Sequence, residues 1–239
     1  MNLTDKVAIV TGASSGIGAE FARMLTQKQA YVYGFARRVD RMDKLKEEIG
    51  DRFVSVFCDV RDEKSVESAV NEVVKRSGRI DVLINNAGLG KYGPVDKLSI
   101  EDWDVQIETN LRGVFLCTRA VVPIMKEQNA ATGFGGHIIN IASIAGLIGN
   151  PTLFAYNASK FGVRGFSEAV MKEVRDHGIK VTCIYPGSIE TEFSSMSGSA
   201  APAHAMTPSD IGETVLHVLE TRDNYLISEV VMRPLRPKG

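Results

Sequence analysis

Seven short apolar runs recur along the 239-residue chain with amphipathic stretches between them, and this alternation restricts the possible fold more than any other feature. The runs are KVAIVTG, AYVYGFA, FVSVFCDV, IDVLINNAG, GHIINIAS, IKVTCIYPG and a weaker last one, NYLISEVVM. Between them lie helical patterns such as IGAEFARMLTQK, DEKSVESAVNEVVKRSG and SEAVMKEVRDHG, the last two closing on the glycine expected after a helix. Strand-helix alternation joins parallel strands through crossover helices. The runs are almost continuously apolar, as strands are when helices cover both faces of a sheet. The expected fold is therefore α/β: a doubly wound parallel sheet of about seven strands, with helices on both faces. No repeat, long charged block or linker divides the chain, so a single domain over 1–239 is expected. The one stretch that resists assignment is GSIETEFSSMSGSAAPAHAMTP, whose small and polar residues read as surface loop or as a lid over 188–206.

Charge and cysteine usage narrow the partners. A formal net charge of −1 leaves no cationic excess for a nucleic acid backbone or an anionic membrane surface. No window reaches the roughly 18 apolar residues of a membrane span, and the opening MNLTDKVAIV has no apolar stretch of secretory length. A cytoplasmic protein without nucleic acid or membrane partners is the expectation. Cys58, Cys117 and Cys183 lie far apart in apolar runs without metal-ligand spacing, which reads as three buried free thiols and no metal site.

The strongest local signal is VAIVTGASSGIGAEFA, a strand that runs through Gly12, Gly16 and Gly18 into a helix beginning near Gly16. Glycines let the backbone turn tightly and approach a bulky anion, and a helix N-terminus presents unpaired N–H groups to a pyrophosphate. The spacing is GxxxGxG rather than the commoner dinucleotide fingerprint GxGxxG, and glycine-rich turns of this kind also occur without ligand. The next strand end bears on the choice. An acidic residue roughly 20 positions past the glycines would bind a ribose 2′-hydroxyl, whereas arginine there accommodates a 2′-phosphate. Here GFARRVDR places Ala36 where that acid would stand and follows it with Arg37 and Arg38, whose planar cations suit phosphate oxygens. NADP is favoured over NAD. Asp40 lies past the strand and reads as a cap for the helix RMDKLKEEI.

A second constellation lies more than a hundred residues downstream. If PTLFAYNASKFGVRGFSEAVMKEV is a helix started by Pro151, Tyr156 and Lys160 at i and i+4 share a face. Ser143 ends the strand GHIINIAS, at the edge where open parallel sheets present ligand sites. A free tyrosine titrates near pH 10, but a neighbouring ammonium favours the phenolate, so Lys160 is expected to lower the Tyr156 pKa. A serine hydroxyl beside the phenol would hold a carbonyl or alcohol oxygen in line for proton transfer, with a nicotinamide alongside to carry hydride.

These motifs together resemble the short-chain dehydrogenase/reductase family in its compact single-domain form. The resemblance covers essentially the whole chain and rests on TGASSGIG at 11–18, CDV at 58–60, NNAG at 85–88, NLRG at 110–113, Ser143, YNASK at 156–160 and PGSIET at 186–191. It implies a Rossmann-like fold and a catalytic tetrad of Asn110, Ser143, Tyr156 and Lys160. Tyr156 would be the general acid/base and Ser143 would hold the substrate oxygen. Lys160 would tune the tyrosine and bind the nicotinamide ribose, and Asn110 would anchor a water in a proton relay. For the cofactor it implies the turn residues Gly12, Ser14, Ser15, Gly16, Ile17 and Gly18, with Arg37 and Arg38. Asp59 and Val60 would lie at the adenine, and Asn86, Ala87 and Gly88 along the adenosine ribose. Pro186, Gly187, Ile189 and Thr191 would lie at the nicotinamide.

The resulting expectation is an NADP(H)-dependent oxidoreductase interconverting a ketone or aldehyde and its alcohol. The alternatives are a 3-oxoacyl-thioester (acyl-carrier-protein) reductase and a catalytically silent nucleotide-binding regulator, the latter disfavoured because all four tetrad members are present. The substrate pocket is expected to be walled by Ile144, Leu147, the LGKY stretch at 89–92 and the segment after Gly187, with Glu190 and Glu192 read as solvent-facing. A homodimer or homotetramer is expected, with WDVQIETNLRGVFLCTRAVVPIMK and 152–175 as candidate interface helices.

Overall fold

The computed structural model describes residues 1–190 and 204–236. Seven strands form one parallel sheet: β1 (Val7–Thr11), β2 (Tyr31–Ala36), β3 (Phe53–Phe57), β4 (Val82–Asn85), β5 (His137–Ile141), β6 (Lys180–Pro186) and β7 (Glu229–Met232). Their order is β3-β2-β1-β4-β5-β6-β7. The helices among the described residues are α1 (Gly16–Gln27), α2 (Val39–Ile49), α3 (Glu63–Ser77), α4 (Ile100–Ile107), α5 (Gly113–Thr132), α6 (Phe154–Val174) and α7 (Pro208–Leu219).

The strand side chains show why the sheet is double-faced. In β1, Ala8 and Val10 enter one apolar cluster while Val7 and Ile9 enter the other. The period of two repeats in β4, where Val82 and Ile84 join the first cluster and Leu83 the second. Phe21 and Leu25 of α1, Met42 of α2 and Ile211 and Val215 of α7 close the first face. Val66, Val70 and Val73 of α3 with Leu116, Val121 and Met125 of α5 close the second. Every β1 residue is buried, and its register runs Val7↔Tyr31 to Thr11↔Phe35 on one side and Ala8↔Val82 to Val10↔Ile84 on the other.

The chain travels outward from β1 through β2 to β3, then returns to place β4 on the opposite side of β1. Connections leaving β1 and β4 therefore diverge and open a crevice at the strands' C-terminal ends, where doubly wound sheets bind ligands. Asp81 fixes the far end of the same two strands. Its carboxylate accepts from the Val7 N–H at 2.9 Å and from Arg79 at 2.6 Å, with Lys6 3.5 Å away.

Helix ends follow local chemistry in most places. Asp62 accepts from the Lys64 N–H at the start of α3, and Gly78 takes a left-handed φ of 69° to end it. Thr207 and Asp210 form a reciprocal capping box at α7, with Pro208 in its first turn. Two expected starts differ. Pro151 lies in a turn in which Thr152 has φ 64°, and α6 begins only at Phe154. Asp40 stands inside the first turn of α2, where its charge favours the helix dipole, and Arg38 occupies the cap position without a side-chain bond. The stretch expected as one helix from Trp103 is broken by a π-helical turn at Glu108–Arg112. The three cysteines are buried free thiols. Among the described residues no helix is long and apolar enough to cross a membrane, and no group of three potential metal ligands occurs.

Candidate active site

The crevice is a cleft of about 670 Å³, within the ~300–1,000 Å³ of small-molecule sites. At one end lies the glycine turn. Gly12 and Gly16 have φ of 70° and 54°, conformations that side chains with a Cβ rarely adopt. Gly18 serves a different purpose: it does not line the cleft, and a Cβ there would lie 2.2 Å from the Gly12 carbonyl oxygen. It lets α1 pack directly on the turn. Ser15 precedes α1 in extended conformation and no side chain caps the helix, so its first N–H groups are left for an acceptor in the cleft.

The end of β1 holds the start of the neighbouring wall. The Thr11 hydroxyl accepts from the backbone N–H groups of Asn86 and Ala87 at 2.9 and 3.0 Å, and the Asn86 amide donates to the Thr11 carbonyl at 3.0 Å. Asn86, Ala87 and Gly88 thereby run along the cleft. Arg37 and Arg38 line it next to the glycine turn, and Arg38 donates to the hydroxyls of Ser14 at 3.0 Å and Ser15 at 2.9 Å. Asp59 and Val60 line the same end. Asp59 is gripped by Arg61, with N–O distances of 2.7 and 3.0 Å, and those bonds hold its carboxyl below the usual carboxylate range. Arg61, absent from the motif residues, also lines the cleft. Its position two residues after the aspartate was the available signal.

At the other end, Tyr156 and Lys160 project from one face of α6, as their spacing requires. Ser143 follows β5 and caps a short turn by accepting from the Ala145 N–H at 3.1 Å. Its hydroxyl is within hydrogen-bonding range of the Tyr156 phenol. The Lys160 ammonium is 4 % exposed, donates to the Ile141 carbonyl at 2.9 Å and sits over the Tyr156 ring, 5.6 Å from its centroid. Burial lowers its pKa to about 8, only partly offset by the nearby Cys183.

The expected lowering of the Tyr156 pKa by Lys160 is not what the structure shows. Burial drives the phenol above its ordinary value, the nearby Tyr92 hydroxyl adds to the rise, and only the Ser143 hydroxyl opposes it. The ammonium lies over the ring and spends its hydrogen bond on Ile141. Tyr156 is therefore a protonated acid at neutral pH.

Asn110 does not line the cleft but stands behind it, in the π-helical turn. Its side chain bonds both backbone groups of Leu89, at 2.9 and 2.8 Å, and the Ser159 hydroxyl at 3.1 Å. Ser159 in turn donates to the Tyr156 carbonyl at 2.8 Å. The amide is thus a brace between one wall of the cleft and α6. Pro186, Gly187 and Ile189 line the cleft beside Ile144, whereas Leu147, expected as a wall, packs into the interior with Val114 and Tyr185. Backbone bonds between Ser188 and Met206 at 3.0 Å, and between Glu190 and Met206 at 2.8 Å, join the two ends of the segment that follows. Thr191, Glu192 and most of the expected lid at 188–206 lie outside the described residues. Tyr92, from the expected LGKY wall, lines the cleft with two residues not foreseen, Asn150 and Leu153.

The glycine turn, the uncapped N–H groups and Arg38 across two serines fit a dinucleotide carrying a further phosphate. A family model described as short chain dehydrogenase matches residues 6–201. An uncharacterised oxidoreductase of Staphylococcus saprophyticus is 34 % identical over 98 % of this chain and all of its own length. A 3-oxoacyl-[acyl-carrier-protein] reductase of Thermotoga maritima is 32 % identical over 97 % of each chain. A metagenomic short-chain oxidoreductase, solved in complex with NADP, superposes with a TM-score of 0.85 at 35 % identity, covering 98 % of this chain and 99 % of its own. The chain belongs to the short-chain dehydrogenase family of oxidoreductases.

Proposed function

We propose that the protein is an NADP(H)-dependent carbonyl reductase that interconverts a ketone or aldehyde and the corresponding alcohol. The observation that carries this reading is the Tyr156 phenol beside the Ser143 hydroxyl, at the far end of a cleft whose near end is the glycine turn and Arg38. The nicotinamide, when bound, supplies a hydride to the carbonyl carbon in reduction and accepts one in oxidation. Ser143 holds the substrate oxygen through its hydroxyl. Tyr156, kept protonated by burial, donates its proton to that oxygen as the alkoxide charge develops. Lys160 stabilises the phenolate left behind and presents its ammonium to the cofactor ribose, and Asn110 keeps α6 and the 86–89 wall in register.

Arg38 with Ser14 and Ser15 is assigned to the 2′-phosphate, Arg37 to its outer side, and Asp59 and Val60 to the adenine. Gly187 and Ile189 are assigned to the nicotinamide carboxamide, with Thr191 following. Exposed Trp103, Phe115 and Phe161 on α4, α5 and α6 support a homo-oligomer built on those helices.

A 3-oxoacyl thioester is the second reading, favoured by the similarity to the Thermotoga enzyme. The test is NADPH oxidation against aldehydes, β-keto esters, diketones, cyclic ketones and an acetoacetyl thioester. Turnover of any of them that Tyr156→Phe abolishes, with NADPH still bound, supports the reading. Inactivity toward all of them overturns it in favour of a nucleotide-binding regulator.

A further inference from the structure

The π-helical turn at Glu108–Arg112 is bonded toward both ends of the cleft. It closes through the Gly113 N–H, which donates to the Glu108 carbonyl five residues back. Such a turn holds one residue more than the α-helix on either side of it, and handing that surplus to the adjoining turn exchanges one backbone bond for another. Two windings of the same segment therefore lie close together, and contacts from outside the helix decide which one is kept.

On one side the turn is held by Asn110, through Leu89 and through Ser159 to the Tyr156 carbonyl. On the other side it is held to the 59–63 segment. The Arg112 guanidinium donates to the Arg61 carbonyl. Gly113 lies so close to Val60 that a Cβ there would come within 2.9 Å of the valine side chain. Farther along α5, Arg119 pairs with Glu63 at the start of α3. Arg61 grips Asp59 with its own side chain, and Asp59, Val60, Arg61 and Thr109 of the turn all line the cleft. Of these links, the Arg112 bond is the directional one that starts within the turn itself, two residues from Asn110.

We infer that Arg112 is a positioning residue that ties the 59–61 wall to Asn110, so that a nucleotide filling the adenine end steadies the face of α6 that carries Tyr156 and Lys160. The assignment rests on the placement of the adenosine at Asp59 and Val60 proposed above. An adenine packed against 59–61 fixes the Arg61 carbonyl, and a fixed carbonyl favours the winding in which Arg112 can reach it. That is the winding in which Asn110 meets Leu89 and Ser159. A ligand shifts such an equilibrium only through a contact that differs between the two states, and this bond is that contact. The Arg112 side chain itself is exposed, does not line the cleft and touches no reacting group.

The test uses the full chain and adenosine 2′,5′-bisphosphate, which carries the adenine and the 2′-phosphate but no nicotinamide, with amide hydrogen exchange read by mass spectrometry. At saturation the bisphosphate should slow exchange at 12–18 and 59–61, where it binds, and also by about fivefold or more over 157–162 of α6, which it does not reach. In Arg112→Gln the bisphosphate should still bind and protect 12–18 and 59–61, while the protection over 157–162 is lost. Arg112→Lys, which keeps a charged donor, should recover part of it. Protection of α6 that is absent in the wild type, or unchanged in Arg112→Gln, overturns the inference and leaves the carbonyl-reductase reading standing. Protection lost from all three segments in Arg112→Gln assigns the arginine to the fold at large and overturns the inference as well. A wild type that does not bind the bisphosphate overturns the inference and the cofactor assignment together.

Discussion

Arg38 donates two hydrogen bonds to the hydroxyl of Ser14, at 3.3 and 3.0 Å, and so lies across the mouth of the glycine turn from the end of the next strand. In the proposed reading this guanidinium holds the ribose 2′-phosphate. Arg38→Leu should weaken NADPH binding by about tenfold or more, the value of a charge-assisted pair, with a much smaller effect on NADH. Titration of both cofactors by nucleotide fluorescence checks this. An equal loss for the two would remove Arg38 from the 2′-phosphate.

Lys160 sets a pH limit. Its ammonium has a pKa near 8, and the Tyr156 phenol titrates above its usual range, so the lysine is the first of the two to lose a proton as pH rises. The rate of carbonyl reduction should be level through neutrality and decline above about pH 8, following one ionisation. A profile of kcat/KM from pH 6 to 10 that stays flat would dissociate Lys160 from the reaction.

A third expectation concerns Gly18, whose substituent would meet the Gly12 backbone rather than a flexible side chain. Gly18→Ala should cost about 1–3 kcal/mol through overpacking and should weaken cofactor binding by shifting the turn. Denaturant unfolding measures the first and NADPH titration the second. A variant as stable as the parent would mean that α1 can move away from the turn freely.

His137 supplies a prediction outside the site. It is fully buried in β5, and its Nε2 lies 2.8 Å from the Thr182 hydroxyl, which itself donates to the Ile227 carbonyl at 2.6 Å. The hydroxyl must then accept from the ring, so Nε2 carries the proton and Nδ1 is bare, without a hydrogen bond among the described residues. Burial, with Lys180 nearby, lowers the imidazole pKa to about 3. The unfolded chain takes up a proton near pH 6.5 that the folded chain refuses until about pH 3, so stability is intact above 6.5 and falls as pH drops. Between pH 7 and 5 the wild type should lose about 2 kcal/mol more than His137→Gln in urea unfolding. Equal losses would show that the ring is protonated within the fold.

Much of this was legible in the sequence, and the reasons differ from part to part. The β1 and β4 runs announced themselves because strands covered on both faces must be apolar throughout. The Tyr156–Lys160 pair was legible because helical spacing fixes direction. Gly12 and Gly16 were marked by a backbone need, but Gly18 shows that a motif glycine can be required by a neighbour's carbonyl instead of a ligand. Side-chain competition was not legible. Nothing in the spacing of Tyr156 and Lys160 discloses that the ammonium binds Ile141, or that burial outweighs its charge at the phenol. Asn150 and Arg61 were hidden for a related reason: they reach the cleft from turns whose course depends on how distant strands are ordered.

The wide turn at Glu108–Arg112 acts as a phase shifter between two otherwise regular helices. The surplus residue it takes up sets everything beyond it back by about 100° relative to an uninterrupted α-helix. Residues up to Gln106 are thereby timed to the 89–93 wall, while Leu116, Val121 and Met125 are timed to the sheet. Winding the same residues as plain α-helix would leave one of those two halves facing the wrong way, whereas losing one residue together with the wide turn would keep both, so the extra residue and the turn that absorbs it belong together.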